Sequence, residues 1–158
     1  MKSKSFIFGG IAVVMLLLSL SIRVSAIRVT TDGWQEDIPV GRFEVGWIHS
    51  VEKEPWFETY EVRDGKLYLT ETRFKTFGAG VPSDGKIIPS DDGFVHMALE
   101  QEIGELTIST SADVRTTLYT NKGDRPLYDP GGERWTVRIT HQQVPLWRLI
   151  GGAQLERN

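Results

Sequence analysis

Most of the chain alternates apolar and polar residues with a period of two. From Arg42 to Val51, Phe43, Val45, Trp47, His49 and Val51 fall on one face. That is the signature of a half-buried strand, because successive strand side chains point to opposite sides. Trp56–Arg63 follows as a second strand, after a Glu52-Lys53-Glu54-Pro55 turn. Asp64-Gly65 then marks a two-residue hairpin whose type I′ turn needs positive φ, and Lys66 to about Phe77 returns. Further strands are expected at Phe94–Leu99, Glu105–Ser109, Arg115–Thr120, Arg134–His141 and Val144–Ile150, with Ile27–Thr31 as a possible first strand. Residues 78–93 read as a long ordered loop. No long helix is expected in the body. Eight or nine short strands divided by turn signals predict an all-β antiparallel sandwich or barrel.

The first 26 residues break this pattern. Phe6–Ile22 is a 17-residue run without charge, Lys2 and Lys4 precede it, and Val24-Ser25-Ala26 supplies small residues at its exit. Two readings fit: a cleaved export signal with the mature chain starting near Ile27, or an anchor at the short edge of a membrane span. Both place residues 27–158 outside the cytoplasmic membrane, as the domain proper. Residues 1–26 carry three cations and no acid, so without them the net charge of −3 becomes −6. That balance argues against nonspecific binding to nucleic acid or anionic lipid. There is no cysteine, which excludes disulfides, thiolate metal sites and a Cys nucleophile. No cofactor motif is present; Gly78-Ala79-Gly80 lacks the ending of a phosphate loop.

The hairpin register suggests where chemistry would gather. Asp64-Gly65 pairs Val62 with Leu67, Tyr60 with Leu69 and Glu58 with Glu71. If the 52–55 turn closes on Val51 and Trp56, His49 lies opposite Glu58. Phe43, Val45, Trp47, Tyr60, Val62, Leu67 and Leu69 then form the core face. At its end His49, Glu58 and Glu71 make a row, with Arg73 and Trp56 beside it. Opposed carboxylates repel, so a proton, a cation or a ligand should neutralise them. A structural charge network, a ligand site and a His-plus-two-Glu metal site all fit that row. A small hydrolase using the paired carboxylates is a further alternative. His96 and His141 stand isolated. The five Trp read as core and sheet-edge residues.

The segment Trp47-Ile48-His49-Ser50-Val51-Glu52-Lys53-Glu54-Pro55-Trp56, with Glu58 and Tyr60, resembles the HSVE-x-x-P-x-x-E-x-Y signature of a bacterial family, domain of unknown function 1850. Glu71 to Pro82, with its Gly-Ala-Gly, resembles that family's second block. The resemblance implies an exported or membrane-anchored protein with an accessory role beside a TRAP transporter of the TAXI type, its partners the permease or the solute-binding protein. It implies no activity and no catalytic residues. The expectation is therefore a binding domain and not an enzyme. Ligand or partner contacts would come from His49, Glu58, Glu71 and Arg73, with Gly78 and Gly80 at the rim.

Overall fold

The computed structural model describes residues 20–132 and 134–150. Residues 1–19 of the expected signal or anchor lie outside the described residues. The fold is all-β: two antiparallel sheets packed face to face and not closed into a barrel. Eleven strands are present among the described residues. They are β1 Arg23–Thr30, β2 Gln35–Ile38, β3 Arg42–Ile48, β4 Pro55–Arg63, β5 Lys66–Phe74, β6 Lys86–Ile88, β7 Val95–Ile103, β8 Leu106–Thr110, β9 Thr117–Thr120, β10 Gly123–Pro126 and β11 Trp135–Pro145. A short helix, α1, covers Leu146–Ile150. The small sheet has the order β2-β1-β11-β8 and the large sheet β10-β9-β3-β4-β5-β7-β6. No described helix is long and apolar enough to cross a membrane.

The core lies between the sheets. Ile27, Val29, Ile38, Val137 and Ile139 come from the small sheet; Phe43, Val45, Tyr60, Leu67, Leu69 and Leu118 come from the large one. The period-two pattern explains this division. In β1, Ile27 and Val29 point inward while Arg28 points out and binds Asp37 at 2.7 Å. A second, smaller cluster of Trp56, Phe74 and Met97 lies at one end of the large sheet. There the 75–94 segment folds over it: Val81 packs on the cluster, and Phe77 meets Phe74 edge to face at 5.2 Å.

Several expectations need correction. The first strand begins at Arg23 and not Ile27, so Val24-Ser25-Ala26, read as the exit of a signal segment, is strand. β11 runs unbroken through His141–Val144 because β1 pairs along it from Arg23↔Pro145 to Thr30↔Arg138. The expected strand over Val144–Ile150 becomes helix after Pro145. The short strands β2, β6 and β10 carry too few residues to show a pattern.

The register of the first hairpin is as expected near the turn: Arg63↔Lys66, Val62↔Leu67 and Tyr60↔Leu69. Beyond Tyr60 it shifts. Thr70 is an extra residue in β5, a bulge, and its hydroxyl donates to the Thr59 carbonyl at 3.2 Å. Glu58 therefore faces Thr72, and Glu71 faces Thr59 on the other side of the sheet. Pairing of β3 with β4 also differs. It ends at Ile48↔Pro55, and Trp47 faces Trp56. Ser50–Lys53 form a turn closed by the His49 N–H donating to Glu54 at 2.8 Å, with Lys53 at φ 58°. That slip spans four residues, an even number, so the predicted core face survives it.

Gly46 tests the packing of the outer face. It sits opposite Phe57, and a Cβ there would lie 2.5 Å from the Phe57 ring. The Arg73 guanidinium covers the ring at 4.2 Å, so the ring has little room to retreat. Gly46→Val is expected to destabilise the fold by about 1–3 kcal/mol through overpacking, despite valine's better strand propensity. Urea unfolding would measure it; an unchanged midpoint would refute the close approach.

Candidate functional site

The structure distributes the predicted cluster over three places. His49 lies in the β3–β4 turn. Glu58 lies on the inner face of the large sheet. Glu71 and Arg73 lie on its outer face.

The turn is held by its own side chains. His49 stacks on Trp56 at 5.4 Å between ring centroids. Its Nδ1 contacts the Glu52 carboxylate, three residues on. Glu52 also accepts the Ala79 N–H at 3.2 Å, and its side chain fills the space a Cβ at Gly78 would occupy. The Thr76 hydroxyl donates to Glu54 at 2.6 Å. The two sequence blocks, 47–60 and 71–82, thus meet in a clasp centred on Glu52. Burial pushes the Glu52 carboxyl up, but the backbone amides of Glu52 and Ala79 and the His49 imidazole outweigh it, leaving the carboxyl below its usual range. Gly80, at φ 85°, turns the chain where a side chain would be strained. Val51 is 69% exposed and Phe77 62% exposed. The clasp therefore fixes two loops that hold apolar side chains in water.

Glu58 and Tyr60 are two apart on one strand and share a face. The Tyr60 hydroxyl donates to the Glu58 carboxylate. Burial raises the Glu58 carboxyl above its ordinary range, and the hydrogen bond offsets this only in part. Burial and the neighbouring carboxylate raise Tyr60 as well.

On the outer face, Arg73 binds Glu44 at 2.7 Å and lies over Phe57, with Phe94 at 5.7 Å. Arg73 therefore neutralises Glu44, not the predicted row. Glu71 binds His96 Nδ1 at 2.6 Å, and Asp92 binds His96 Nε2 at 2.9 Å. The imidazole bridges two carboxylates through opposite nitrogens, which suits imidazolium donating twice. A shared metal would need donors converging on one point. Among the described residues no group of three His, Asp or Glu is arranged to hold a metal ion. His96 was not foreseen, because β7 reaches Glu71 through pairing that no local turn announces. His141 is also partnered, meeting the Ser25 hydroxyl at 3.0 Å. Four Trp pack in the core clusters, but Trp147 is exposed.

The hollows on this face are shallow. One, of about 260 Å³, is lined by Gly46, Phe57, Arg115, Tyr119 and neighbouring residues. Another, of about 290 Å³, lies beside Glu44, Thr59 and Tyr119. Neither is lined by His49, Glu58, Glu71, Arg73, Gly78 or Gly80.

Two pH responses follow. Burial pulls His96 down, but its hydrogen bonds to Asp92 and Glu71 outweigh this and leave it above the ordinary 6.5. The Ser90 hydroxyl, His96 and the Phe94 N–H hold Asp92 at about 2. The stabilisation from His96 is full below about pH 6.5 and is lost as pH rises through its folded value. That from Asp92 is present above about pH 4 and is lost as pH falls toward 2. An NMR titration should find His96 above its ordinary value, and Asp92→Asn should lower it; an unmoved titration would remove the bridge.

Glu58 has the same sign as His96 and the opposite sign to Asp92. Its raised folded value means the folded protein keeps the proton longer than the unfolded chain. Stability therefore falls as pH rises from about 4.5 through that value. Glu58→Gln carries no charge and keeps an acceptor for Tyr60. It should be more stable than wild type at pH 8, with the gap closing toward pH 4. Thermal melts at the two pH values measure this; a destabilised variant at pH 8 would contradict it.

No curated protein and no solved structure matches the chain. A family described as a domain of unknown function (DUF1850) matches residues 43–127. The match holds β4 to β10, nearly all of β3, and both halves of the clasp. It covers more than half of the sequence, and the chain belongs to the DUF1850 family.

Proposed function

We propose that this chain is an exported accessory domain that works by binding a protein partner through the clasped end of its large sheet. The observation that carries this reading is the clasp itself. Glu52 joins His49, Gly78 and Ala79, Thr76 ties onto Glu54, and the fixed loops present Val51 and Phe77 to solvent. Preordered loops lose little entropy on binding, and exposed apolar side chains at their tips gain by burial. The partner proposed is the permease or the solute-binding protein of a TRAP transporter of small organic solutes, the role that the resemblance to the DUF1850 family implies. The basic, apolar N-terminus supports export to the outer face of the cytoplasmic membrane.

Co-purification tests this. The tagged full chain should retain a TAXI-type permease or its solute-binding protein when co-expressed. Burial of one Phe contributes about 2 kcal/mol, which is roughly thirtyfold in affinity. Phe77→Asp and Val51→Asp should each weaken retention at least tenfold; Val51→Asp should leave the melting temperature unchanged, and Phe77→Asp should lower it slightly through loss of the contact with Phe74. Failure of the wild-type chain to retain either component, or full retention by both variants, would overturn the reading.

A further inference from the structure

We infer that the N-terminal segment stays attached to the domain and that the surface made by Leu20, Ile22 and Trp147 rests on the lipid bilayer. The inference shares with the proposed function only export of the domain, and it concerns a different part of the molecule.

Retention follows from β1. Val24, Ser25 and Ala26 pair with Val144, Gln143 and Gln142 of β11. Ala26 and Ile27 are both fully buried. Ser25 bonds His141, which lies 3.7 Å from a Cβ placed on Gly65. A cut after Ala26 would remove half of this eight-residue strand. It would also place a new ammonium group on Ile27, a fully buried residue. Burying a charge is strongly unfavourable. The small residues that resemble a cleavage site are small because a strand packs there.

The patch follows from where the strand begins. The uncharged Phe6–Ile22 run ends at the residue before Arg23, the first of β1. Arg23 pairs with Pro145, and the Leu146 N–H donates to the Ile22 carbonyl at 2.9 Å. The short helix α1 is thereby fixed beside the point where the run joins the domain. Trp147 is 53% exposed there, Ile22 48% and Leu20 47%. Arg23 and Arg148 flank them, with Arg148 also 3.8 Å from Asp37. As a helix, 17 residues would measure about 26 Å, close to the thickness of a bilayer's hydrocarbon core. An indole next to the end of such a span sits at the depth that Trp favours, and arginines there reach the headgroups. The occupant is therefore lipid, supplied by the same membrane that takes the run.

The chain has no cysteine, so one introduced thiol gives a unique label. Trp147→Cys and Ile22→Cys in the full chain would carry an environment-sensitive dye. Val51→Cys, at the clasp, is the control. After reconstitution into phosphatidylethanolamine–phosphatidylglycerol vesicles with headgroup nitroxide lipid, labels at 147 and 22 should be quenched several-fold more than the label at 51. Equal quenching at all three overturns the patch. So does a label at 147 shielded by added permease but not by lipid. Intact mass of the membrane-extracted chain should show residues 1–26 in place; a mature N-terminus at Ile27, or any other loss of the segment, overturns retention. Neither failure touches binding at the clasp, which co-purification reads separately.

Discussion

One extra residue in β5 governs how charge is arranged over the whole large sheet. Before Thr70, Leu67 and Leu69 point into the core; after it, Thr72 and Phe74 do. Without the bulge, strict alternation would turn Glu71 and Arg73 inward, onto the face already holding Glu58. Two carboxylates on one buried face cost several kcal/mol unless paired. The bulge sends Glu71 to His96 and Arg73 to Glu44, both on the solvent side. It leaves Glu58 as the inner-face carboxylate at this end, small enough a burden for one tyrosine hydroxyl to share. The hydrophobic run of the second cluster, Trp56, Phe74 and Met97, depends on the same shift.

What the sequence made legible was local. Asp64-Gly65 set the hairpin register through Tyr60↔Leu69, because a two-residue turn leaves no freedom there. The core face of β3 to β5 followed from period-two alternation and survived a four-residue slip, since an even slip preserves sidedness. The bulge carried no such signal. Thr70 is an ordinary strand residue, and only its pairing with Thr59 shows that it is the extra one. The partners of Glu71 and Arg73 were hidden for a related reason. His96 reaches Glu71 through β7, and Glu44 reaches Arg73 across β4, so sequence spacing says nothing of either contact. The start of β1 was hidden differently. Val24-Ser25-Ala26 carries the small residues of an export-signal exit, and the pairing with β11 shows that these residues are strand.

The same contacts account for the spacing of residues within the 47–60 and 71–82 segments. His49 and Glu52 are three apart because the imidazole meets the carboxylate across one turn. Glu58 and Tyr60 are two apart because a strand brings such residues to one face. Gly78 precedes Ala79 because Glu52 occupies the place of a side chain at 78 and accepts the next N–H. His49, Glu52, Glu54, Glu58 and Tyr60 thus each meet another residue of the 47–60 and 71–82 segments. A scaffold that spends this many polar contacts on two loops must gain something from their fixed shape. The clasp lies at the opposite end of β4 from the Asp64-Gly65 turn, beside which the chain enters its first strand. Nine strand residues separate those ends, about 30 Å. β1 begins beside one of these ends, and at the other the clasp holds Val51 and Phe77 exposed to solvent.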